Sequence, residues 1–84
     1  FFMWHEGVID GYWWQAKVFN EGSQFGINNG RVSKLSICEG EVWNHKKQVY
    51  GYDRGLDFDN CPAEVFSKIM AHCESLPAYD VAAA

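Results

Sequence analysis

The stretch Met3–Phe19, M-W-H-E-G-V-I-D-G-Y-W-W-Q-A-K-V-F, decides how the chain is read. Two strand-like runs flank Asp10-Gly11. Asp-Gly in that setting signals a two-residue hairpin turn whose central residues both take positive φ. With that loop, Ile9 faces Tyr12, Gly7 faces Trp14, His5 faces Ala16 and Met3 faces Val18. Side chains alternate between the two faces of a strand, so this mostly apolar set predicts the core side. Trp14 lies opposite Gly7, where a ring can fill the space left by a missing side chain. The other side carries Trp4, Glu6, Val8, Trp13, Gln15, Lys17 and Phe19. It is half polar yet holds three large aromatics, so either a helix covers it in part or it is an adhesive surface.

Downstream, Asn20–Gly30 is a Gly/Asn-rich loop, with Phe25 and Ile27 expected to tuck inward and pin it. Arg31–Cys38 is a third strand. Leu35 and Ile37 lie on one side of it with Ser33, and Val32, Lys34, Ser36 and Cys38 on the other. Glu39-Gly40 is expected to turn the chain into a strand over Glu41–Asn44, with Val42 beside Ile37 and Trp43 beside Ser36. His45-Lys46-Lys47 makes a basic turn or bulged edge before a last strand, Gln48–Asp53. Lysines there also discourage edge-to-edge association.

Asn60-Cys61-Pro62 opens a helix. Asp59 or Asn60 can cap it, and Pro62 suits a first turn, where its missing N–H costs nothing. Val65, Phe66, Ile69, Met70, Cys73 and Leu76 then recur as one helical stripe until Pro77. The predicted fold class is α+β: a four- or five-stranded antiparallel β-meander with one C-terminal helix packed on the sheet. One domain spans 1–84, as hairpin 3–19, loop 20–30, strands 31–53 and helix 61–76. The two residues before Met3 suggest a native start at Met3, and Ala82–Ala84 reads as a non-native or frayed end.

Composition narrows the function. The chain has 84 residues, 48% hydrophobic and 17% aromatic, enough for one core and no second. Net charge is −4, which opposes the broad positive field of nonspecific DNA binding. The charge is uneven: residues 31–56 hold five bases against three acids, and residues 57–84 one base against five acids. Three cysteines argue against a disulfide framework. Cys61 and Cys73, at opposite ends of the helix, fall about 18 Å apart, far beyond disulfide reach of about 7 Å. Reduced thiols, no apolar run near the ~20 residues of a membrane span and no visible signal peptide predict a cytoplasmic protein with no membrane partner.

No catalytic or ligand motif of high specificity is present. The run Y-G-Y-D-R-G-L-D-F-D, Tyr50–Asp59, is the densest in chemistry. Its spacing does not match an EF-hand loop. Asp53 and Arg54 read as structural pairs, Gly55 as the residue with an unusual backbone angle, and Asp57 and Asp59 as favouring the helix N-terminus. His5, His45 and His72 lack zinc-ligand spacing. Cys61 sits where a helix N-terminus could lower its pKa, but it has no catalytic partner nearby in sequence. No metal or cofactor is expected.

Two binding surfaces remain. Trp4, Trp13 and Phe19 on the second hairpin face form a candidate protein-binding patch. Lys34, Lys46, Lys47 and Arg54, with Trp43, Tyr50 and Tyr52, form a candidate basic, aromatic face for single-stranded nucleic acid. A small hydrolase using Asp53, Asp57 or His45 is a third reading, weakened by the lack of a convergent site.

The segments W-H-E-G-V-I-D-G-Y (4–12), Q-A-K-V-F-N-E-G-S-Q-F-G-I-N-N-G-R-V-S-K-L-S-I (15–37) and Y-D-R-G-L-D (52–57) resemble a family of small uncharacterised proteins. Members occur in Gram-positive bacteria and in their phages and mobile elements. Leu56 stands where such proteins commonly carry Trp. The resemblance spans about two thirds of the chain and brings no known reaction. It implies a cytosolic accessory protein, phage- or mobile-element-encoded, that modulates a host protein. The excess of aromatics on both faces of the first hairpin, with no catalytic constellation, makes the leading expectation a non-enzymatic binding module acting on an unidentified host protein, or pairing with its own copy as a homodimer.

Overall fold

The computed structural model describes residues 3–78; the readings of Phe1-Phe2 and Ala82–Ala84 lie outside the described residues. Strands β1 (Trp4–Ile9), β2 (Tyr12–Val18), β3 (Val32–Glu39), β4 (Gln48–Asp53) and β5 (Leu56–Asp59) precede one helix, α1 (Ala63–Glu74). The strands pair antiparallel in chain order, so the α+β meander is the architecture. The first hairpin has the expected register, with Gly7 opposite Trp14 and Ile9 opposite Tyr12. Asp10 and Gly11 take φ of 53° and 80°, as the turn requires. The Trp14 ring lies over Gly7, where an added Cβ would approach it to 3.2 Å.

Helix α1 packs on the Trp14 side of the sheet. Val65, Ile69 and Cys73 join Trp14, Ala16, Val18, Leu35, Ile37 and Tyr50 in one buried cluster. The His72 ring meets Trp14 edge-on at 5.4 Å, and Phe66 lies 5.0 Å from Tyr50. Lys68 Nζ reaches Asp10 Oδ2 at 2.6 Å, tying the helix to the first turn. Asp59 acts one step ahead of the helix: its Oδ1 accepts the Cys61 N–H at 3.1 Å. Pro62 occupies the cap position itself, with no side-chain cap.

Three expectations are corrected by the ladders. Val32 is fully buried on the core side, not on the side of Lys34. Val18 pairs with Val32 while Lys17 pairs with Lys34, so Ser33 is an extra bulged residue and the alternation restarts there. Second, Glu41–Asn44 is not a strand. β3 pairs with β4 instead, setting Ile37 opposite Tyr50, and Val42 is left exposed. The fifth strand is Leu56–Asp59, which pairs back on β4 with Asp57 as a bulge. Third, of the two residues expected to pin loop 20–30, only Ile27 is buried; Phe25 is 40% exposed.

The loop is held another way. Asn28 and Asn29 supply left-handed turns, at φ 54° and 60°. Gly26 lies so close to the Gly30 carbonyl that no Cβ fits between them. Arg31 then closes the loop. Its Nε donates to the Phe19 carbonyl at 2.7 Å, and its Nη1 donates to the carbonyls of Glu74 at 2.9 Å and Leu76 at 2.6 Å. Its backbone N–H donates to Glu74 Oε2 at 2.8 Å. One residue thus joins the end of β2, the start of β3 and the open carbonyls at the helix C-terminus.

The bulge gives a direct test of register. Val32→Ala removes two buried methyl groups and is expected to lower the unfolding free energy by about 2 kcal/mol. Val42→Ala, on a residue 72% exposed, should change it by less than about 0.5 kcal/mol. Urea titration of both variants measures the difference, and equal small losses would contradict the bulged register.

Candidate functional site

The sheet has one covered face and one open face. Cross-strand register assigns Trp4, Lys17, Lys34 and Asp53 to one row of the open face, and Glu6, Gln15, Ser36, Gly51 and Phe58 to the next. Val8, Trp13 and Cys38 form a third row. The loop after β3 folds back over this end. Cys38 Sγ donates to the Val42 carbonyl at 3.3 Å, and the Trp43 ring rests 5.4 Å from Trp13. Trp13, Gln15, Ser36 and Trp43 bound a shallow hollow of about 250 Å³.

The opposite end of the face holds a larger open cleft, about 600 Å³, between β2, β3, loop 20–30 and the β4–β5 turn. Lys17, Phe19, Phe25, Ser33, Lys34 and Arg54 line it, with Glu21. The cations are set against rings. Lys17 Nζ lies 5.2 Å from the Phe19 centroid and 6.0 Å from that of Trp4, and the Arg54 guanidinium lies 4.4 Å over Phe25. Exposed pairs of this kind contribute about 0.5–1 kcal/mol each. Lys34 pairs with Asp53 at 3.6 Å, both side chains well exposed, so the pair adds little stability. Tyr52 Oη donates to the Phe25 carbonyl at 3.0 Å and fixes that wall of the cleft.

Arg54 is the strained residue of the site. The sequence assigns the unusual backbone angle to Gly55, but Arg54 carries it, at φ 61°. A left-handed non-glycine residue costs about 1–2 kcal/mol. The Arg54 N–H donates to the carbonyl of the bulged Ser33 at 2.8 Å, which secures the turn against β3.

The three aromatics expected to make one patch are divided. Trp13 sits with Trp43 at one end, and Phe19 lines the cleft at the other. Trp4 stands beside Lys17. Neither Trp13 nor Phe19 is buried, and α1 covers neither. The four cations named for nucleic acid are also split. Lys34 and Arg54 belong to the cleft, whereas exposed Lys46 and Lys47 precede Gln48 at the far end of β4, about 17 Å along the strand. Tyr50 points into the core and is not a stacking platform. Three contributors were missed. Lys17 was legible from the hairpin register beside Trp4. Phe25 and the pairing of Trp43 with Trp13 depend on loops meeting the sheet, for which the sequence holds no periodic signal.

His45 precedes one end of β4 and Asp53 closes the other, so these two hydrolase candidates do not converge. Among the described residues no three His, Cys, Asp or Glu side chains are grouped to hold a metal. The cysteines are free. Burial, then the Asp59 carboxylate, push the Cys61 thiol up, opposite to the activation considered from its place before the helix. Burial with Glu74 pushes Cys73 up to about 12, and burial with Asp59 does the same for Tyr50.

These features define a small α+β domain with one sheet face left open by α1. Over residues 3–74 the chain matches the model of a domain of unknown function, DUF7678, and it belongs to that family. No curated protein and no solved structure matches it. Among the described residues no helix is long and apolar enough to cross a membrane.

The raised thiols set a chemical expectation. Iodoacetamide at pH 8 should alkylate Cys61 more slowly than it alkylates a free cysteine peptide, because less thiolate is present. Faster reaction would contradict the arrangement. Tyr50 and Cys73 bind their protons more tightly when folded. Their contribution is therefore intact below pH 9 and is lost as pH rises from about 9 to 12. Chemical denaturation across that range should show the decline, and it should be shallower in Tyr50→Phe.

Proposed function

We propose that the protein is a small non-enzymatic binding module that acts by protein–protein contact through the open face of its sheet and modulates the protein it binds. The observation that carries this reading is the placement of Trp4, Trp13 and Trp43 on the face that α1 leaves uncovered. Trp4 is 50% and Trp43 47% exposed. Val8, opposite Trp13, and Phe58, opposite Gly51, are also exposed on this face. Tryptophans are enriched among the residues that dominate protein interfaces, and one large ring offers about 150–250 Å² to bury.

A different protein fits this face: Lys17 and Lys34 stand side by side in one row of it, and acidic residues among a partner's apolar contacts would complement them. In the setting implied by the resemblance to phage and mobile-element proteins, the partner is a host protein and the binding module alters its activity.

The test is affinity capture from a Gram-positive bacterial lysate. Wild type is compared with a Trp13→Ser, Trp43→Ser double variant whose fold is verified by circular dichroism. The reading expects a protein retained by wild type and reduced at least about tenfold by the variant, with the free chain monomeric in light scattering. Equal capture by both proteins, or a dimer that the double variant dissociates, would count against it.

A further inference from the structure

We propose that the cleft between β2, β3, loop 20–30 and the β4–β5 turn binds a nucleoside phosphate, with its phosphate held by Lys17, Lys34 and Arg54 and its base stacked against the phenyl rings of Phe25 and Phe19. The site is separate from the Trp13–Trp43 end of the face and does not depend on the protein-contact reading.

Three cations from three different elements line one concavity, with two phenyl rings among them. Its volume of about 600 Å³ lies within the ~300–1,000 Å³ of small-molecule sites. The acids that face this set are Glu21 on the lining and Asp53 beside Lys34, so one positive charge remains in excess before any ligand enters. A guanidinium matches phosphate oxygens in a two-pronged arrangement, and ammonium groups add point charges. Phenyl rings accept any base, because every base has a flat face. A ligand with both an anionic group and an aromatic plane uses all the groups present, whereas a bare anion leaves the rings idle.

Arg54 supplies a second, independent observation. Its backbone occupies a left-handed position that Gly or Asn would fill at less cost. A turn selected only for stability would not place arginine there. What arginine provides is the guanidinium held over Phe25 at the cleft wall. Strain of this kind at a concave, charged site is a mark of function.

The ligand can be a free mononucleotide or one unit of a single strand, and the experiment separates them. Amide resonances of the full chain are followed by NMR during titration with AMP, UMP, inorganic phosphate and a short oligothymidylate. Lys17→Gln and Arg54→Gly are carried alongside wild type. The expected result is saturable shifts at Lys17, Phe25, Ser33 and Arg54 with nucleotide. Inorganic phosphate alone should bind at least about tenfold more weakly, because it cannot use the rings. Both variants should weaken nucleotide binding at least about tenfold. Arg54→Gly should melt within a few degrees of wild type, because glycine relieves the backbone while the ring contact is lost. Tighter binding of the oligothymidylate than of UMP, lost in both variants, supports the site with a strand as the source. Absence of shifts at about 10 mM nucleotide, equal affinity for phosphate and nucleotide, or undiminished binding in both variants would overturn the proposal.

Discussion

The contacts of Arg31 are the constraint on which the rest of the structure depends. A helix end exposes carbonyls with no internal partner, and a long glycine-rich loop has no ladder to hold it. One guanidinium answers both needs. It donates to the carbonyls of Glu74 and Leu76 at the end of α1 and to that of Phe19 at the end of β2. The Glu74 carboxylate returns the contact by accepting the Arg31 backbone N–H. A hydrogen bond to a charged group contributes about 1.5–3 kcal/mol, more than a neutral contact at the surface offers. The helix is thereby fixed against one end of the sheet, and its apolar stripe falls on the Trp14 face. The opposite face is left open as a consequence.

The same lock shapes the functional end of that face. Loop 20–30 starts beside Phe19 and finishes at Arg31, so closing it at its base sets where Phe25 emerges. The Phe25 carbonyl then accepts from Tyr52, and the Arg54 guanidinium lies over the Phe25 ring. At the other end, the short contact of Cys38 with the Val42 carbonyl brings Trp43 over Trp13. Two loops that carry no regular structure across most of their length thus furnish both candidate surfaces, on a frame fixed by β2, β3 and β4. Binding surfaces are often built from such loops on a rigid scaffold.

What could be read in the sequence follows from the range of the interactions. The Asp10-Gly11 turn and the alternation around it are local, and they gave the hairpin register and the Gly7–Trp14 contact correctly. The helix stripe from Val65 to Leu76 is likewise local, but the face it covers is not, and helix coverage of the Trp4, Trp13 and Phe19 side stood as an alternative until the sheet and helix were placed together. The bulge at Ser33 was hidden, because a bulge shifts alternation by one residue without changing composition. That single shift moved Val32 from the expected outer face to the core. The fourth strand was misplaced because Val42-Trp43 looks strand-like, whereas the pairing of β3 with Gln48–Asp53 is set by Ile37 and Tyr50 meeting in the core. The binding residues divide in the same way. Trp4, Trp13 and Lys17 are strand residues whose face could be assigned from period two. Phe25 and Arg54 meet only because a loop and a turn distant in sequence close on the same end of β3.

The measurement that bears most directly on this account is native-state amide hydrogen exchange of Gly26, Asn29 and Gly30, whose N–H groups are bonded within the loop. Wild type is compared with Arg31→Lys, which keeps the charge but loses the forked donor set. If Arg31 holds the loop to the helix end, protection at these three amides falls by about tenfold or more through local opening. Leu35 and Ile37 in β3 then lose much less. Loop amides exchanging at wild-type rates, or loop and strand amides falling together by the same factor, would contradict the claim that this residue organises the binding end of the molecule.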